Sequence, residues 1–282
     1  KEVLIMNTVN IDILKSVSKK KRKNYNQEFK KLKKGDRSED TIHNARVAAR
    51  RLNALLETIS IISNSPADKK LKRKIKNSRN KLGGTRDIQI TKNFLINNKE
   101  DLINFDFDLF EDFYHQAQKE SLKEAEQFIK NFKRKKMNRK LKKVVEKYFK
   151  NSPQKISLAN IFHKIKDEKE LILSEFDLLN RNDKSSFHQL RKDLKKLRYK
   201  LEILNEINVG DYNIDNYKQF QDDLGQIQDI VVIKEILNDR SKAAKSKNDL
   251  IKLNEFLDNK QNKLIDKVIN NHYLFLEMME KI

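Results

Sequence analysis

Apolar residues recur every three or four positions along most of the chain, with polar and charged residues between them. This is the period of amphipathic α-helices, and it predicts ten or eleven helices and no convincing strand. The 282 residues include only five glycines and two prolines, fewer turn residues than an all-β fold requires. We therefore predict an all-α fold, with a first helix over about 9–34 and a boundary between two halves at 151–153.

Single residues predict several helix ends. Gly35 is placed to end the first helix, and Ser38 or Asp40 to cap the second. Pro66 favours the start of a third helix, because the proline ring suits the first helical position. A basic run at 133–136 separates two later helices.

Two of the predicted helices repeat one pattern of cationic and apolar residues. The histidines that head the two copies are 145 positions apart, and the match holds without a gap. A turn of about 100° per residue places the cations of each copy in a row on one side of its helix. The rows are His43, Arg46 and Arg50 in the first copy, with Arg51 beside them, and His188, Arg191, Lys195 and Arg198 in the second, with Lys196 beside them. The adjoining apolar faces are Ile42, Ala45, Ala49, Leu52, Leu56 and Ile59 in the first copy and Phe187, Leu190, Leu194, Leu197, Leu201 and Leu204 in the second.

A second pair of matching segments follows at 82–88 and 224–230. We interpret each as a turn in which the glycine, Gly83 or Gly225, ends a helix and the aspartate, Asp87 or Asp229, caps the next one. The second turn therefore separates helices predicted over 212–224 and 229–243. The offset of 142 positions nearly equals that of the first pair, which predicts an internal duplication with half-repeats over 9–150 and 155–282.

Two such halves, packed about a pseudo-two-fold axis, would turn both cationic rows toward one groove. Each half is expected to be a four-helix unit with its row in the same place. Cations gathered this closely repel one another, so an anion that relieves the repulsion should also stabilise the fold. Linear polyanions suit such a groove. Further cations that could line it are Lys72, Lys76, Arg79, Arg86 and Lys192, for which an ordinary exposed position is an equal alternative.

The overall charge also favours a polyanionic partner. The chain has 62 basic and 41 acidic residues and a formal net charge of +21, so it should attract polyanions in a salt-dependent manner. A generally lysine-rich host is the alternative explanation, which the uneven spacing of the cations disfavours. Nucleic acid is an alternative partner, although the chain lacks a recognisable reading motif and an aromatic stacking row.

Several classes of protein are disfavoured. The chain has no cysteine, which excludes disulfides and thiolate metal sites. No apolar run approaches the ~18 residues of a membrane span, and the first residues lack the features of a signal peptide. There is no Walker-type loop, no Ser-His-Asp order and no compact carboxylate cluster. We therefore predict no catalytic residue, no metal site and no cofactor, and a phosphate-metabolising enzyme is the least favoured alternative.

Individual polar residues allow two interpretations. His43 and His188 could bond locally at helix N-termini, but their paired placement favours anion contact, which should make binding tighter toward pH ~6. Glu57 and Glu202 either orient neighbouring arginines or form ordinary i,i+4 pairs. Tyr199 is expected to pack in the core.

The segment at 43–52, its copy at 188–197 and the two Leu-Gly…Asp segments resemble the CHAD family, the conserved histidine α-helical domain. The resemblance covers nearly the whole chain, so 1–282 is interpreted as a single CHAD domain. It implies two four-helix bundles with internal pseudo-symmetry, binding of inorganic polyphosphate in a basic central groove, and no catalysis by the domain alone. The binding residues that it implies are His43, Arg46, Arg50, Arg51, His188, Arg191, Lys195, Lys196 and Arg198. We also expect a cytoplasmic protein without a membrane partner, with polyphosphate granules as a candidate place of association.

The sequence departs from the family pattern at several positions. Asn53 stands where many members have arginine, and Lys195 and Lys196 replace an arginine pair, which exchanges bidentate contacts for point charges. Arg86 has Gln228 as its counterpart, so the cation of that turn occurs once. No triphosphate-tunnel domain of the CYTH type precedes the CHAD-like region, so no linked hydrolase activity is expected.

Overall fold

The computed structural model describes residues 8–102, 107–240 and 247–282. These residues form the helices α1 (Ile11–Lys33), α2 (Glu39–Ile62), α3 (Lys69–Asn80), α4 (Gly83–Asn97), α5 (Phe107–Asn131), α6 (Arg134–Phe149), α7 (Ala159–Asp177), α8 (Lys184–Glu206), α9 (Ile214–Arg240), α10 (Lys247–Asn270) and α11 (His272–Glu280). The all-α prediction is confirmed. Among the residues described, no helix combines the length and the apolar character that a membrane span requires.

Two short strands correct the prediction of a chain without strands. β1 (Thr8–Asn10) pairs antiparallel with β2 (Lys155–Ser157), and Val9 lies opposite Ile156. Both of these central residues are buried, so the pair covers one end of the core. Three-residue strands carry too short an alternation to be recognised from a sequence. The pairing joins the segment before α1 to the segment before α7.

The caps and stops of the first helices follow largely from local chemistry. Gly35 lies just past α1 with φ of 100°, a left-handed conformation that glycine adopts without strain. Ser38, one of the two predicted caps, accepts a hydrogen bond from the backbone N–H of Thr41 at 3.3 Å. The predicted start at Pro66 is wrong, because α3 begins at Lys69, where Asp68 accepts from the backbone N–H of Leu71 at 2.7 Å.

The second predicted turn is also wrong, because α9 runs without interruption through 224–230. Gly225 lies within α9 and does not end the helix, although glycine weakens a helix by about 1 kcal/mol relative to alanine. In the first copy the break falls at 81–82, before Gly83, so Asp87 lies inside α4 and is not a cap. Asp229 likewise lies inside α9. The predicted end of that helix at residue 243 lies outside the described residues.

One large apolar core contains residues from both halves of the chain. The predicted apolar faces of α2 and α8 are buried in it throughout, and α2 packs against α1, α3, α7 and α8. A smaller cluster joins α4 and α5 to α9 and α10, with Leu95, Ile230 and Leu257 among its members. These contacts hold α2 beside α8 and α4 beside α9. The internal duplication stays a prediction, since the second half has a continuous helix where the first half has a break.

Candidate functional site

The cationic rows of α2 and α8 meet where the two helices pack together. Arg50 Nε donates a hydrogen bond to Tyr199 Oη at 3.2 Å, which joins the two helices directly. Burial lowers the pKa of Arg191, and the positive charge of Arg50 lowers it further although Asp229 opposes the shift. Arginines from both halves of the sequence therefore lie close enough to repel each other.

Two further arginines reach the same place, Arg79 from the last turn of α3 and Arg86 from the first turn of α4. Burial lowers the pKa of Arg79, and the charge of Arg50 adds to that effect. Arg86 lies close enough to Asp229, in the other half, to oppose the rise in its pKa that burial causes. We name this cluster of neighbouring side chains the central trough. Its residues are His43, Arg46, Arg50, Arg79, Arg86, Arg191 and Lys195, with Asp87, Asp229 and Tyr199.

Arg46 and Arg191, which occupy matching positions of the two motifs, each lie against a glycine of their own half. A Cβ atom on Gly83 would lie 3.2 Å from Nη1 of Arg46, and a Cβ on Gly225 would lie 3.1 Å from Nη2 of Arg191. Both distances are tighter than ordinary van der Waals contact, so the missing side chains give the guanidinium groups room. The two matching pairs of sequence segments are therefore contact partners, and this role replaces the predicted role of Gly225 as a helix stop.

The strongest electrostatic perturbation in the trough is at Lys195. Its pKa is lowered to about 7, first by burial and then by the surrounding cations, of which Arg191 and Arg50 contribute most. Among the described residues, no hydrogen bond or ion pair is formed by the Lys195 side chain. Burial also lowers the pKa of Arg46 to about 10, despite the opposing charge of Asp87. Cations held this closely, with few carboxylates, favour an anion from outside the chain.

Asp87 and Asp229 are two carboxylates of the trough, one from each half. Burial raises the pKa of both, while Arg46 opposes the rise at Asp87 and Arg191 opposes it at Asp229. Their predicted role as helix caps is wrong, since both lie inside helices. They act instead as partial counter-charges for the motif arginines.

The two motif histidines have different surroundings. His43 is exposed at the rim of the trough, and its pKa is lowered by burial and then by Arg86, Arg50 and Arg46. His188 is also exposed, and no side-chain hydrogen bond or ion pair joins it to the part of the chain that the structure describes. His43 is therefore linked to the trough by its electrostatic interactions.

The CHAD domain family model matches residues 22–238, which extend from α1 to α9 and include both motif helices. The chain belongs to the CHAD domain family. Its fold is similar to the crystal structure of the CHAD domain from the plant Ricinus communis, with a TM-score of 0.67 and 16% identity, covering 99% of this chain and 94% of that one. It is also similar to PptA from Streptomyces chartreusis, with a TM-score of 0.68 and 13% identity, covering 97% and 100% of the two chains. No curated protein matches the chain.

Two of the predicted binding residues of this CHAD domain are held by one glutamate. Glu202 accepts from Arg198 Nη1 at 2.6 Å on its own helix and from Arg51 Nε of α2 at 3.2 Å. Arg198 also lies over the ring of Tyr199, with its Cζ 4.5 Å from the ring centroid. Glu202 therefore makes the predicted i,i+4 pair and in addition holds an arginine across the helix interface. These two arginines flank the CHAD trough with their charge already partly neutralised.

Other predicted cations of the CHAD domain are exposed or already paired with a polar neighbour. Lys196 is exposed and bonded to Asp193, and Lys72 donates to Glu57 at 2.6 Å. Lys192 is exposed and donates to Gln189 at 2.8 Å, and Lys76 is exposed. Of the additional candidates, Arg79 and Arg86 are the two that the structure places in the trough.

Tyr199 belongs to the site, but the sequence pattern predicted only that it packs in the core. It is buried, as predicted, but its hydroxyl accepts from Arg50 inside the trough. Its position next to Arg198, a member of the cationic row, was the sequence feature that could have indicated a role in the site. A phenol can serve both roles because its ring is apolar while its hydroxyl accepts hydrogen bonds.

Proposed function

We propose that the central trough binds inorganic polyphosphate without turning it over. The observation that carries the proposal is the convergence of Arg46 and Arg50 with Arg191 and Lys195, which come from helices in opposite halves of the chain. The lowered pKa values of Arg46, Arg191 and Lys195 reflect burial and mutual repulsion, and both costs decrease when phosphate groups enter. Guanidinium groups donate strong charge-assisted hydrogen bonds to phosphoryl oxygens.

A linear polyanion fits this arrangement better than a single phosphate ion. The cations come from α2, α3, α4 and α8, so one ligand that contacts all of them must carry several anionic groups. Membership of the CHAD family supports polyphosphate as that ligand, through the resemblance of the motifs. It also leads us to propose a cytoplasmic protein that associates with polyphosphate granules.

A double variant tests the site assignment. Arg46→Ala with Arg191→Ala should weaken polyphosphate binding by about 100-fold or more, because each arginine contributes charge-assisted hydrogen bonds of roughly 1.5–3 kcal/mol. Isothermal titration calorimetry at fixed salt measures the affinity, and circular dichroism checks that helicity is retained. The matched control is Lys164→Ala with Lys166→Ala, which removes two exposed cations of α7. It lowers the net charge by the same amount as the Arg46/Arg191 variant. Equal affinity of wild type and the Arg46/Arg191 variant would show that the trough is not the site.

Competition and turnover assays test the other two possible functions. Single-stranded RNA or DNA should displace polyphosphate poorly, and efficient displacement would favour a nucleic-acid-binding protein. Incubation with polyphosphate and Mg²⁺ should release no orthophosphate above the level of a protein-free blank. Release that the Arg46/Arg191 variant abolishes would favour an enzyme.

A further inference from the structure

A second cationic groove lies outside the central trough, between α3 and α6 and beside the end of α5. Its volume is about 1030 Å³, and none of the residues that line it is acidic. A smaller hollow of about 530 Å³ continues it past 132–136 toward Lys33 at the end of α1. Lys133 and Lys136 of the basic run at 133–136, which the trough does not use, line both. The groove is therefore a separate feature with the sign of charge that attracts anionic partners.

The floor of this groove is apolar, and its aromatic rings pack against the core. Phe128 and Phe132 are half-buried in it, with ring centroids 5.4 Å apart, and Met137 is buried beside them. Phe132 also contacts the core ring of Phe29 at 4.7 Å. Because the rings belong to the aromatic part of the core, the groove keeps an apolar surface without an outside partner to order it.

The rim of the groove is cationic and unpaired. Arg73 and Lys74 extend from α3, and Lys136, Arg139 and Lys143 extend from α6, all of them exposed. Within the described ranges, none of these five side chains makes an ion pair or hydrogen bond. By contrast, Lys140 on the same helix reaches Asp68 at 3.6 Å. The five rim charges are thus available to a partner.

We propose that this groove binds an acidic amphipathic helical segment of a partner protein. Apolar side chains of such a segment would cover the phenylalanine floor, while its carboxylates would pair with the rim. The groove follows α3, whose 12 residues span about 18 Å, which matches a partner helix of three turns. The binding mode is that of an amphipathic helix in an apolar groove, with charge complementarity that excludes basic partners.

The observations disfavour two other anionic occupants. Polyphosphate has no apolar group to cover the floor, so it would leave the phenylalanines in contact with water. A nucleic-acid base would have to stack on Phe128 or Phe132, whose rings already contact each other, and Phe132 also contacts Phe29 and Tyr25. An amphipathic acidic peptide can cover the apolar floor and also pair with the cationic rim.

Two synthetic 12-residue peptides of one composition test the proposal. The first places leucine and phenylalanine at helical spacing on one face and glutamate on the other, and the second has the same residues in scrambled order. Fluorescence anisotropy should show that the patterned peptide binds at least tenfold more tightly than the scrambled one. Equal affinities would overturn the proposal, since charge alone would then account for binding.

Charge-reversed variants locate the peptide. Arg139→Glu with Lys143→Glu should weaken binding of the patterned peptide at least tenfold and leave polyphosphate affinity at the central trough within about threefold. The matched control, Lys164→Glu with Lys166→Glu, and the trough variant Arg46→Ala with Arg191→Ala should each bind the peptide as wild type does. Loss of peptide binding in the trough variant, or unchanged binding in the Arg139/Lys143 variant, would overturn the assignment. Loss of oligouridylate binding in the Arg139/Lys143 variant, with peptide binding unchanged, would assign the groove to nucleic acid instead.

Discussion

The two motif helices carry the same pattern but use it differently. Arg46 and Arg191 occupy matching positions, and each lies against the glycine of its own half. One turn later, α2 has Arg50, which bonds Tyr199, whereas α8 has Lys195, whose pKa is lowered to about 7 by burial and then by the cations around it. Arginine keeps its charge when buried and lysine can lose it, so the second copy contributes a titratable cation where the first contributes a permanent one.

At the next position of each motif, the two copies behave alike. Arg51 and Lys196 also match by the 145-residue offset, and both leave the trough to pair with carboxylates, Glu202 and Asp193. A basic pair on a helix therefore divides into one residue that faces the trough and one that faces a protein carboxylate. Consecutive residues point about 100° apart on a helix, so the two members of a pair can face different partners.

The largest expected difference is between variants that replace Arg50 or Arg51, the basic pair of α2, one at a time. Arg50→Ala should weaken polyphosphate binding by about 30-fold, because it removes a charge-assisted donor from the trough. Arg51→Ala should weaken binding less than threefold, because its charge is already paired with Glu202. Titration calorimetry of the two variants at the same ionic strength measures the difference. Equal losses would mean that Arg51 turns into the trough when ligand binds.

A smaller effect is expected from pH, through Lys195. In the free protein this lysine loses its proton around pH 7, and bound phosphate should restore the charge, so binding takes up a proton above that pH. Affinity should therefore be highest below pH 7 and fall by up to about tenfold as the pH rises to 8. Because burial and nearby arginines lower the pKa of His43, its contribution lies at a lower pH than the sequence led us to expect.

Lys195→Arg tests that assignment, since arginine stays charged throughout this range. The variant should bind polyphosphate with nearly constant affinity between pH 7 and 8. A pH dependence like that of wild type would mean that another group, or the terminal phosphates of the ligand, takes up the proton.

The smallest expected effect concerns the glycine contacts. Gly225→Ala should weaken polyphosphate binding two- to threefold, because its Cβ would displace the guanidinium group of Arg191 by a few tenths of an ångström. The melting temperature should stay the same or rise slightly, since alanine favours the continuous helix α9. Gln226→Ala, at an exposed position of the same helix, is the matched control and should leave affinity unchanged. A large loss of stability would show that Arg191 has no room to move.

Sequence reasoning predicted what depends on local periodicity. The apolar faces of α2 and α8 and the cations beside them follow from spacing along one helix, and the structure buries every residue of those faces. The stop at Gly35 and the cap at Ser38 are likewise encoded within a few residues of each other. The CHAD resemblance rested on such local motifs, and the family match confirms it.

The sequence pattern did not reveal contacts between residues far apart in the chain. The pairing of Arg51 with Glu202 spans 151 positions, and the contact of Gly225 with Arg191 joins two helices. A glycine and an aspartate four residues apart have the usual signature of a helix end, yet in α9 they serve the trough instead. At Gly225 and Asp229 the local rules therefore failed because both residues are neighbours of Arg191 on another helix.

A crystal structure of the protein with bound polyphosphate tests the central claim most directly. The account predicts a chain of phosphates along the central trough, with phosphoryl oxygens about 3 Å from the side-chain nitrogens of Arg46, Arg50, Arg191 and Lys195. Phosphates bound only on outer surfaces or in the groove between α3 and α6, with an empty trough, would contradict it.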